Sequence, residues 1–134
     1  MIDTTLIILK PDAVKRKLVG EIITRIEKKN LSIARMNMRT LDKEILDQHY
    51  EEHKEKGFYP ELVDFMSSGP VVVMEVQGRD AQLVMRNLMG STDPATADPG
   101  TIRGDLGIEF TENLIHGSDS QESAAKEINI FFGS

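Results

Sequence analysis

Two short runs of consecutive apolar residues constrain the fold of this chain more than any other feature. Residues 5–9 (TLIIL) and 71–76 (VVVMEV) are almost entirely apolar. A continuous apolar run of this length, bounded by turn residues, is typical of a strand buried inside a sheet. The sequence therefore predicts two central strands. Asp12 and Asp80 follow them closely, and we expect each to cap the helix that comes next.

The segment after the first central strand has the spacing of an amphipathic helix. Apolar residues recur every fourth position from Val14 to Ile26, which predicts one helix with a buried stripe. Asn30 suits the left-handed residue that ends such a helix. Residues 31–39 then alternate between apolar and polar side chains, which predicts a strand. The alternation slips near residue 34, which predicts a β-bulge.

Further helices and one long irregular segment separate the remaining strands. Asp42 predicts the N-cap of one helix, and Pro60 predicts the start of another. Residues 90–107 are rich in proline and glycine, and an irregular segment of this length is typical of a functional loop. The predicted order is β-α-β-α-α-β-α-loop-β-α. The predicted fold class is therefore α/β (α+β), a ferredoxin-like βαββαβ antiparallel four-stranded sheet with added helices and a long loop. We expect residues 1–134 to form a single domain.

Composition excludes several classes of partner and site. Sixteen basic and 22 acidic residues give a net charge of −6, which disfavours binding to nucleic acid. The chain has no cysteine, so disulfides and thiolate metal sites are excluded. No stretch has the length or hydropathy of a membrane span or a signal peptide, and we expect a cytoplasmic protein. Neither the P-loop pattern nor G-x-G-x-x-G occurs.

The strongest candidate for chemistry is His116, which ends the last predicted strand. Residues 114–115 are apolar, Gly117 can form a sharp turn, and residues 118–120 are all good helix caps. Ser118 also precedes Gln121 at the spacing of a capping box. A neutral imidazole beside the anion-binding N-terminus of a helix can act as a nucleophile in phosphoryl transfer. On spacing alone, a structural role for His116 is equally supported.

Side chains must supply the cations for any phosphate ligand, because the chain has no glycine-rich phosphate loop. Lys10 interrupts an apolar strand, Arg86 precedes the long loop, and Arg103 lies inside it. Taken singly, each is more often a solvated surface charge. His49 and His53 have the spacing of two metal ligands on a helix, but tyrosine stands where the zinc-protease pattern requires glutamate. We therefore expect His49 to face the core and His53 to face solvent.

Seven segments together resemble the nucleoside diphosphate kinase family, and the resemblance covers nearly the whole chain. The segment that contains His116 is highly specific. The segments are Leu9-Lys10-Pro11-Asp12-Ala13, His49-Tyr50-Glu51-Glu52-His53, Phe58-Tyr59-Pro60, Ser68-Gly69-Pro70-Val71, Pro99-Gly100-Thr101-Ile102-Arg103-Gly104-Asp105, Asn113-Leu114-Ile115-His116-Gly117-Ser118-Asp119-Ser120 and Glu122-Ser123-Ala124.

The resemblance implies a ping-pong enzyme in which His116 takes the γ-phosphoryl group of a nucleoside triphosphate and passes it to a nucleoside diphosphate. The catalytic residues that it implies are His116, Lys10, Tyr50, Ser118 and Glu127. The nucleotide-binding residues that it implies are Lys10, Phe58, Arg86, Thr92, Arg103 and Asn113. In this scheme Phe58 stacks on the base, Asn113 contacts the sugar, and Ser118 and Glu127 orient the imidazole.

The resemblance also implies a cofactor and partners. Mg²⁺ is expected to bind through the nucleotide phosphates, with Asp119 reaching it through a water molecule. The expected substrates are ATP, GTP and the other nucleoside triphosphates and diphosphates, including deoxy forms, because stacking on one aromatic ring tolerates every base. We expect a homo-oligomer, either a tetramer or a hexamer.

Two residues depart from the family pattern. Phe110 replaces a smaller residue at a position that flanks the base, and we expect it to alter the stacking or the pocket mouth. Asp93 replaces an asparagine in the loop, and we expect its charge to weaken nucleotide binding slightly at low salt.

Two other functions fit the same scaffold. One is a non-catalytic regulator that binds nucleotides or nucleic acid, which the aliphatic strands and the negative charge disfavour. The other is a relay that passes phosphate from His116 to proteins, and it requires the same histidine chemistry.

Overall fold

The structure is a computed structural model that describes residues 1–133, and its framework is one antiparallel sheet of four strands. The strands are β1 (Ile2–Leu9), β2 (Ser32–Thr40), β3 (Pro70–Arg79) and β4 (Ile115–Gly117). They lie in the spatial order β2-β3-β1-β4. The two apolar runs occupy the central strands β1 and β3, and the predicted ferredoxin-like fold is confirmed.

Helices connect the strands and cover the sheet. They are α1 (Pro11–Lys15), α2 (Val19–Lys28), α3 (Lys43–His49), a 3-10 helix (Glu51–His53), α4 (Tyr59–Met66), α5 (Ala81–Met89), α6 (Ile102–Leu106) and α7 (Gln121–Phe132). Within residues 1–133, no helix is long and apolar enough to cross a membrane.

The central strand β1 is buried on both sides, because alternate residues of a strand point to opposite faces of the sheet. Ile7 and Leu9 pack in a cluster with residues of α2 and α5. Leu6 and Ile8 pack in a second cluster with residues of α3, α4 and α7. All four side chains are fully buried, and each such burial contributes roughly 1.5–3 kcal/mol. The strand that carries Lys10 at its end is thus held rigidly.

The helix predicted over residues 14–26 is two helices, and the cap predicted at Asp12 is wrong. Lys17 has a left-handed backbone (φ 62°), which ends α1 because an α-helix of L-residues is right-handed. Asp12 lies inside α1, and its Oδ2 accepts the backbone N–H of Leu114 at 3.2 Å. Asp80 stands at the predicted N-cap position of α5 but forms no side-chain capping bond, because its own backbone is left-handed (φ 52°), whereas a capping residue is usually extended.

Four other local predictions are confirmed. Asn30 is left-handed (φ 60°) at the end of α2. The register of β2 against β3 shifts between Ile33 and Arg35, as a bulge requires. Asp42 caps α3 by accepting a backbone N–H, and Pro60 lies in the first turn of α4. Except for the bulge, which also involves pairing with β3, these features depend on neighbouring residues alone.

Gly104 allows the long loop to fold back tightly at α6. A Cβ there would overlap the carbonyl oxygen of Asp98 and lie 2.7 Å from its carbonyl carbon. The backbone N–H of Gly104 also donates to Thr101 Oγ1 at 2.9 Å, which caps α6. We expect Gly104→Ala to lower the free energy of unfolding by roughly 2–3 kcal/mol, measured by urea denaturation, because backbone atoms cannot move aside cheaply.

Gly20→Ala is the matched control for this prediction. Gly20 is exposed in α2, and no atom lies within 4 Å of the position that its Cβ would take. Because alanine favours helix over glycine, we expect stability to stay the same or to rise by up to about 1 kcal/mol. Equal losses in both variants would contradict the explanation.

Candidate active site

A cleft of about 620 Å³ opens where β1 ends and β4 begins, within the usual size range of small-molecule sites. The long loop, β4 and five of the α-helices contribute to its walls. Every site residue predicted from the sequence lines it except Ser118: Lys10, Tyr50, Phe58, Arg86, Thr92, Arg103, Asn113, His116, Asp119 and Glu127. The fold therefore brings together residues that are far apart in the sequence.

His116 lies in the middle of β4, opposite Ile8 of β1. Because side chains alternate along a strand, its ring points away from the core cluster that contains Ile115. It meets α7 instead, where its Nε2 lies 2.8 Å from Glu127 Oε1. Within residues 1–133, His116 Nδ1 forms no hydrogen bond. The imidazole therefore has one nitrogen held by a carboxylate and the other unengaged.

Ser118 fixes the carboxylate that holds His116. Its Oγ donates to Glu127 Oε1 at 3.1 Å and accepts the backbone N–H of Leu6 at 3.2 Å. The Ser118 side chain is buried, so water does not compete for these bonds. Oε1 of Glu127 thus receives hydrogen bonds from both His116 and Ser118, and the bond to Leu6 of β1 fixes the position of Ser118.

Two predictions about the segment after His116 are wrong. Ser118 does not form a capping box; of the three candidate caps it is Ser120 that caps α7, by accepting the N–H of Ser123 at 3.0 Å. Gly117 does not form a sharp turn, because it lies within β4. Its lack of a side chain matters for packing instead, since a Cβ would lie 2.7 Å from Met89 Cε.

The sharp turn falls at Leu114, before the histidine. Leu114 is fully buried and has a φ of 77°, which is rare and strained for a branched side chain. Two hydrogen bonds hold it: its N–H donates to Asp12 Oδ2 at 3.2 Å, and its carbonyl accepts the N–H of Lys10 at 2.8 Å. The turn separates Asn113 from His116 and lets both line the cleft.

Lys10 and Asn113 form a fixed pair at the floor of the cleft. Lys10 Nζ donates to Asn113 Oδ1 at 2.7 Å, and Asn113 Nδ2 donates to the carbonyl of Thr92 at 2.9 Å. Burial, and secondarily the nearby charge of Arg103, lowers the pKa of Lys10 to about 8. The Lys10 ammonium is therefore poorly solvated and suited to an anionic ligand.

Arg103 ties the long loop to β4. Its guanidinium donates to the carbonyls of Asn113, Gly90 and Ile115 at 3.3, 3.0 and 2.5 Å. Burial, followed by the charge of Arg86, lowers the pKa of Arg103 to about 10. Its charge is thus held inside the protein without a carboxylate among these three partners, so a bound anion would compensate it.

The remaining charged and aromatic residues stand nearer the mouth of the cleft. Arg86 donates to Asp119 Oδ1 at 2.7 Å, and both side chains are largely exposed. Phe58 is 50% exposed, so one of its faces is available for stacking. Tyr50 is mostly buried; burial, and then the charge of Glu127, raises the pKa of its phenol. Thr92 is exposed at the edge of the loop.

His49 is the residue of this site that sequence reasoning missed. It faces inward as expected, with its ring 5.3 Å from that of Phe131 in a core cluster, but the ring also lies 4.7 Å from the His116 ring, centre to centre, at 85°. Both His49 nitrogens are buried, and neither has a hydrogen-bond partner among residues 1–133. His53, expected in solvent, is half-buried with an unpartnered Nδ1, and its ring lies 5.7 Å from that of Phe58. The four-residue spacing between His49 and His53 was the only signal in the sequence that pointed to either residue.

Neither departure from the family pattern lines the cleft. Phe110 is 62% exposed, which gives no support to an effect on the pocket mouth. The Asp93 carboxylate accepts the N–H of Ala95 at 3.0 Å, so it serves the turn of its own loop. The expected effect of Asp93 on nucleotide binding stays a prediction.

These features define a class of protein. A histidine with one nitrogen free, surrounded by three cations and an exposed aromatic ring, suits transfer of a phosphoryl group from a nucleotide. A ferredoxin-like sheet that carries such a site is a nucleotide phosphotransferase.

Comparison with known proteins identifies the family. The family model described as nucleoside diphosphate kinase matches residues 3–134. The chain is 53% identical to the nucleoside diphosphate kinase of Rubrobacter xylanophilus over 98% of each chain, and 56% identical to that of Streptomyces coelicolor over 98% of this chain and 97% of the relative. It superimposes with a TM-score of 0.96 and 43% identity on the enzyme of Halobacterium salinarum in complex with CDP, covering 100% of this chain and 90% of that one. The chain belongs to the nucleoside diphosphate kinase family.

Proposed function

We propose that this chain carries out the reaction of its family, transfer of a γ-phosphoryl group from a nucleoside triphosphate to a nucleoside diphosphate, through a phosphohistidine on His116. The observation that carries the proposal is the 2.8 Å contact between His116 Nε2 and Glu127 Oε1. A carboxylate accepts hydrogen bonds, so Nε2 carries the imidazole proton. Nδ1 then holds the lone pair that attacks phosphorus.

The proposed transfer has two half-reactions. In the first, Nδ1 bonds to the γ-phosphorus, the bond from phosphorus to the β–γ bridging oxygen breaks, and the diphosphate leaves. In the second, a terminal oxygen of another diphosphate attacks the phosphohistidine and the N–P bond breaks. Glu127 stabilises the positive charge that the imidazole acquires while phosphorylated. Ser118 keeps that carboxylate in place through its 3.1 Å bond.

Positive charge around His116 accounts for most of the proposed catalysis. Phosphoryl transfer depends on positioning and on neutralising negative charge that spreads over the phosphoryl oxygens. We assign phosphate contacts to Lys10, Arg86, Arg103 and Thr92, which all line the cleft. Removal of one well-placed donor typically costs roughly 3 kcal/mol in the transition state.

Nucleoside recognition in the proposal uses few contacts that depend on the base. Phe58 stacks on the base through its exposed face, and Asn113 contacts the sugar. Tyr50 supports the site by packing against His49, with ring centres 4.5 Å apart. Because stacking tolerates any base, we expect ATP, GTP and the other ribo- and deoxynucleotides to be substrates. The CDP bound to the Halobacterium relative agrees with this breadth.

A kinase of this family needs a divalent metal ion, and we propose that the ion is Mg²⁺. The residues present fit it: Asp119 places an 81% exposed carboxylate at the cleft, and Mg²⁺ prefers oxygen ligands, keeps waters and is often held by one carboxylate and substrate phosphates. When bound, Mg²⁺ neutralises part of the negative charge of the phosphates. Arg86 holds the Asp119 carboxylate beside the cleft at 2.7 Å.

Three wider features complete the proposal. Residues 1–134 act as one catalytic domain. The four strands form one sheet, and helices pack against both of its faces, which supports this proposal. The working form is a homo-oligomer, a tetramer or a hexamer, which sedimentation velocity distinguishes. The location is cytoplasmic, where nucleotides and Mg²⁺ are abundant, and cell fractionation tests it.

A labelling experiment tests the function directly. The protein is incubated with γ-labelled ATP, acid-labile phosphate on His116 is measured, and GDP is then added. We expect label on His116 that moves to GTP. Absence of label on His116 would support the non-catalytic regulator instead. Label that leaves only to a protein acceptor would support the relay.

Glu127→Gln tests the orienting role of the carboxylate. Glutamine keeps the shape but removes the charge that fixes the imidazole proton and stabilises the phosphorylated ring. We expect kcat to fall roughly 10–100-fold while KM for the nucleotide changes little, because Glu127 contacts the imidazole. Glu122→Gln, an exposed residue in the first turn of the same helix, is the control. A rise in KM without a fall in kcat would refute the assigned role.

The lowered pKa of Lys10 predicts a loss of activity in alkali. Below pH 8 the Lys10 amine is protonated and binds phosphate; above its pKa of about 8 it loses that charge in the free protein. Because kcat/KM reports groups of the free enzyme, we expect it to decline above about pH 8. Lys10→Arg keeps the charge, so any alkaline decline that remains should begin at higher pH. Identical profiles for both proteins would exclude Lys10 as the source.

A further inference from the structure

Three side chains at the floor of the cleft have the donor atoms of a transition-metal site. One nitrogen of His49, one nitrogen of His116 and one carboxylate oxygen of Glu127 all lie within 4.8 Å of one another. They come from α3, β4 and α7, which the fold fixes relative to one another. Two imidazoles and one carboxylate are a frequent ligand set of zinc, with a fourth coordination position left open.

His49 is a part of this cluster that the proposed phosphoryl transfer does not use. Among residues 1–133, neither of its buried nitrogens has a hydrogen-bond partner, and a buried polar group without a partner is unfavourable. The rings of Tyr50 and Phe131, with centres at 4.5 and 5.3 Å, hold His49 edge-on to the reactive imidazole. Imidazole binds a metal ion through a neutral ring nitrogen, and the unpartnered His49 nitrogens leave such a donor available.

We propose that His49, His116 and Glu127 form an inhibitory site for Zn²⁺ or a similar divalent transition ion. Bond lengths of about 2.0–2.1 Å in a tetrahedral zinc site place the donor atoms about 3.3 Å apart. His116 Nε2 and Glu127 Oε1, now 2.8 Å apart, need to separate slightly. A shift of at most about 1.5 Å brings the His49 nitrogen into the sphere.

Metal binding at Nε2 reverses the proton arrangement of His116. In the working enzyme Nε2 carries the proton and Nδ1 the lone pair. When Zn²⁺ takes the Nε2 lone pair, the proton moves to Nδ1, with no net release of protons. Nδ1 can then no longer attack phosphorus. This inhibition rests on the proposed function, whereas binding of the ion does not.

Charges near the cluster set its expected affinity. Glu127 attracts a cation, but Lys10 and Lys126 both contribute positive charge at His49. Opposing charges at these short distances weaken binding of a divalent ion. We therefore expect a dissociation constant in roughly the micromolar range. An ion bound this weakly inhibits only when its concentration rises and is not permanently bound to the enzyme.

Binding is tested on the full chain without nucleotide or Mg²⁺. Co²⁺ serves as the probe, because a tetrahedral Co²⁺ complex absorbs strongly in the visible range and Zn²⁺ abolishes that band on displacing it. We expect one equivalent to bind. His49→Phe should lower the affinity at least about tenfold through loss of one ligand. His53→Phe, which removes a histidine outside the cluster, is the matched control and should leave the affinity unchanged.

His49→Gln is a second variant that removes the ligand, in case His49→Phe disturbs the packing of the core. Circular dichroism checks the fold of all three variants. No visible band up to millimolar Co²⁺, or a band that both His49 variants retain, overturns the site.

A second measurement separates binding from inhibition. Formation of the phosphohistidine is followed in a single turnover with and without Zn²⁺, and a zinc-selective chelator is then added. We expect at least about tenfold slowing that the chelator reverses, and proportionally less slowing in His49→Phe. Zinc that binds at the cluster without slowing labelling overturns the inhibition. No label on His116 even without zinc is a failure of the proposed function, and the Co²⁺ spectrum still decides the site.

Discussion

Alanine in place of His116 is expected to reduce phosphoryl transfer by at least about 10⁴-fold, because it removes the nitrogen to which the proposed mechanism transfers the phosphoryl group. Only 21% of the His116 side chain is exposed, and its partner Glu127 stays bonded to Ser118. We therefore expect the fold to survive the loss. The measurements are steady-state transfer from ATP to GDP and the yield of acid-labile phosphate.

His53→Ala is the matched control, since it removes an imidazole from the same cleft without touching β4. Its transfer rate should stay within a few-fold of the wild-type rate, and thermal melts of the two variants should be similar. Turnover by His116→Ala above about one percent of the wild-type rate would remove His116 from the mechanism, whatever its effect on stability.

Lysine in place of Arg103 is expected to lower both stability and activity, although the charge is kept. Arg103 bridges three backbone carbonyls from two segments, and a lysine ammonium cannot reach them all. Carbonyls left without a donor in a buried position should lower the free energy of unfolding by roughly 2–3 kcal/mol. With the cation displaced from the phosphates, kcat/KM should fall about 100-fold.

Arg86→Lys is the stability control for Arg103→Lys. The Arg86 side chain is 52% exposed and its partner Asp119 is 81% exposed, so the pair contributes little to folding. We expect urea denaturation to place Arg86→Lys within about 0.5 kcal/mol of the wild type. If Arg103→Lys were equally stable, the buried carbonyl network would not have the importance assigned to it.

Features that depend on adjacent residues could be predicted without knowledge of the fold. The apolar runs of β1 and β3 require burial whatever their neighbours are, and Asp42 caps α3 because its carboxylate reaches a backbone N–H three residues on. Asn30 ends α2 because asparagine tolerates the left-handed backbone. The resemblance to the family assigned roles to the remaining site residues. Spacing alone left His116 equally open to a structural role, and it favoured a solvated surface charge for Lys10, Arg86 and Arg103.

Two capping predictions failed because a distant partner competed with the local one. Asp12 and Ser118 are good helix caps, but a cap contributes only about 1 kcal/mol. In the folded chain Asp12 bonds to Leu114 and Ser118 bonds to Leu6 and Glu127. Both residues are buried, where a hydrogen bond left unmade costs more than a surface cap contributes.

The sequence by itself determined the four strands, their order along the chain and the chemistry that His116 can perform, but it missed the break between α1 and α2 and the helix α6 inside the predicted loop. Only the tertiary structure decided which nitrogen of that imidazole is free, that His49 stands beside it, and that the sharp turn falls at Leu114. The physical reason is that these three outcomes depend on contacts across the sheet and between helices. Such contacts join residues far apart in the chain, and a local pattern carries no information about them.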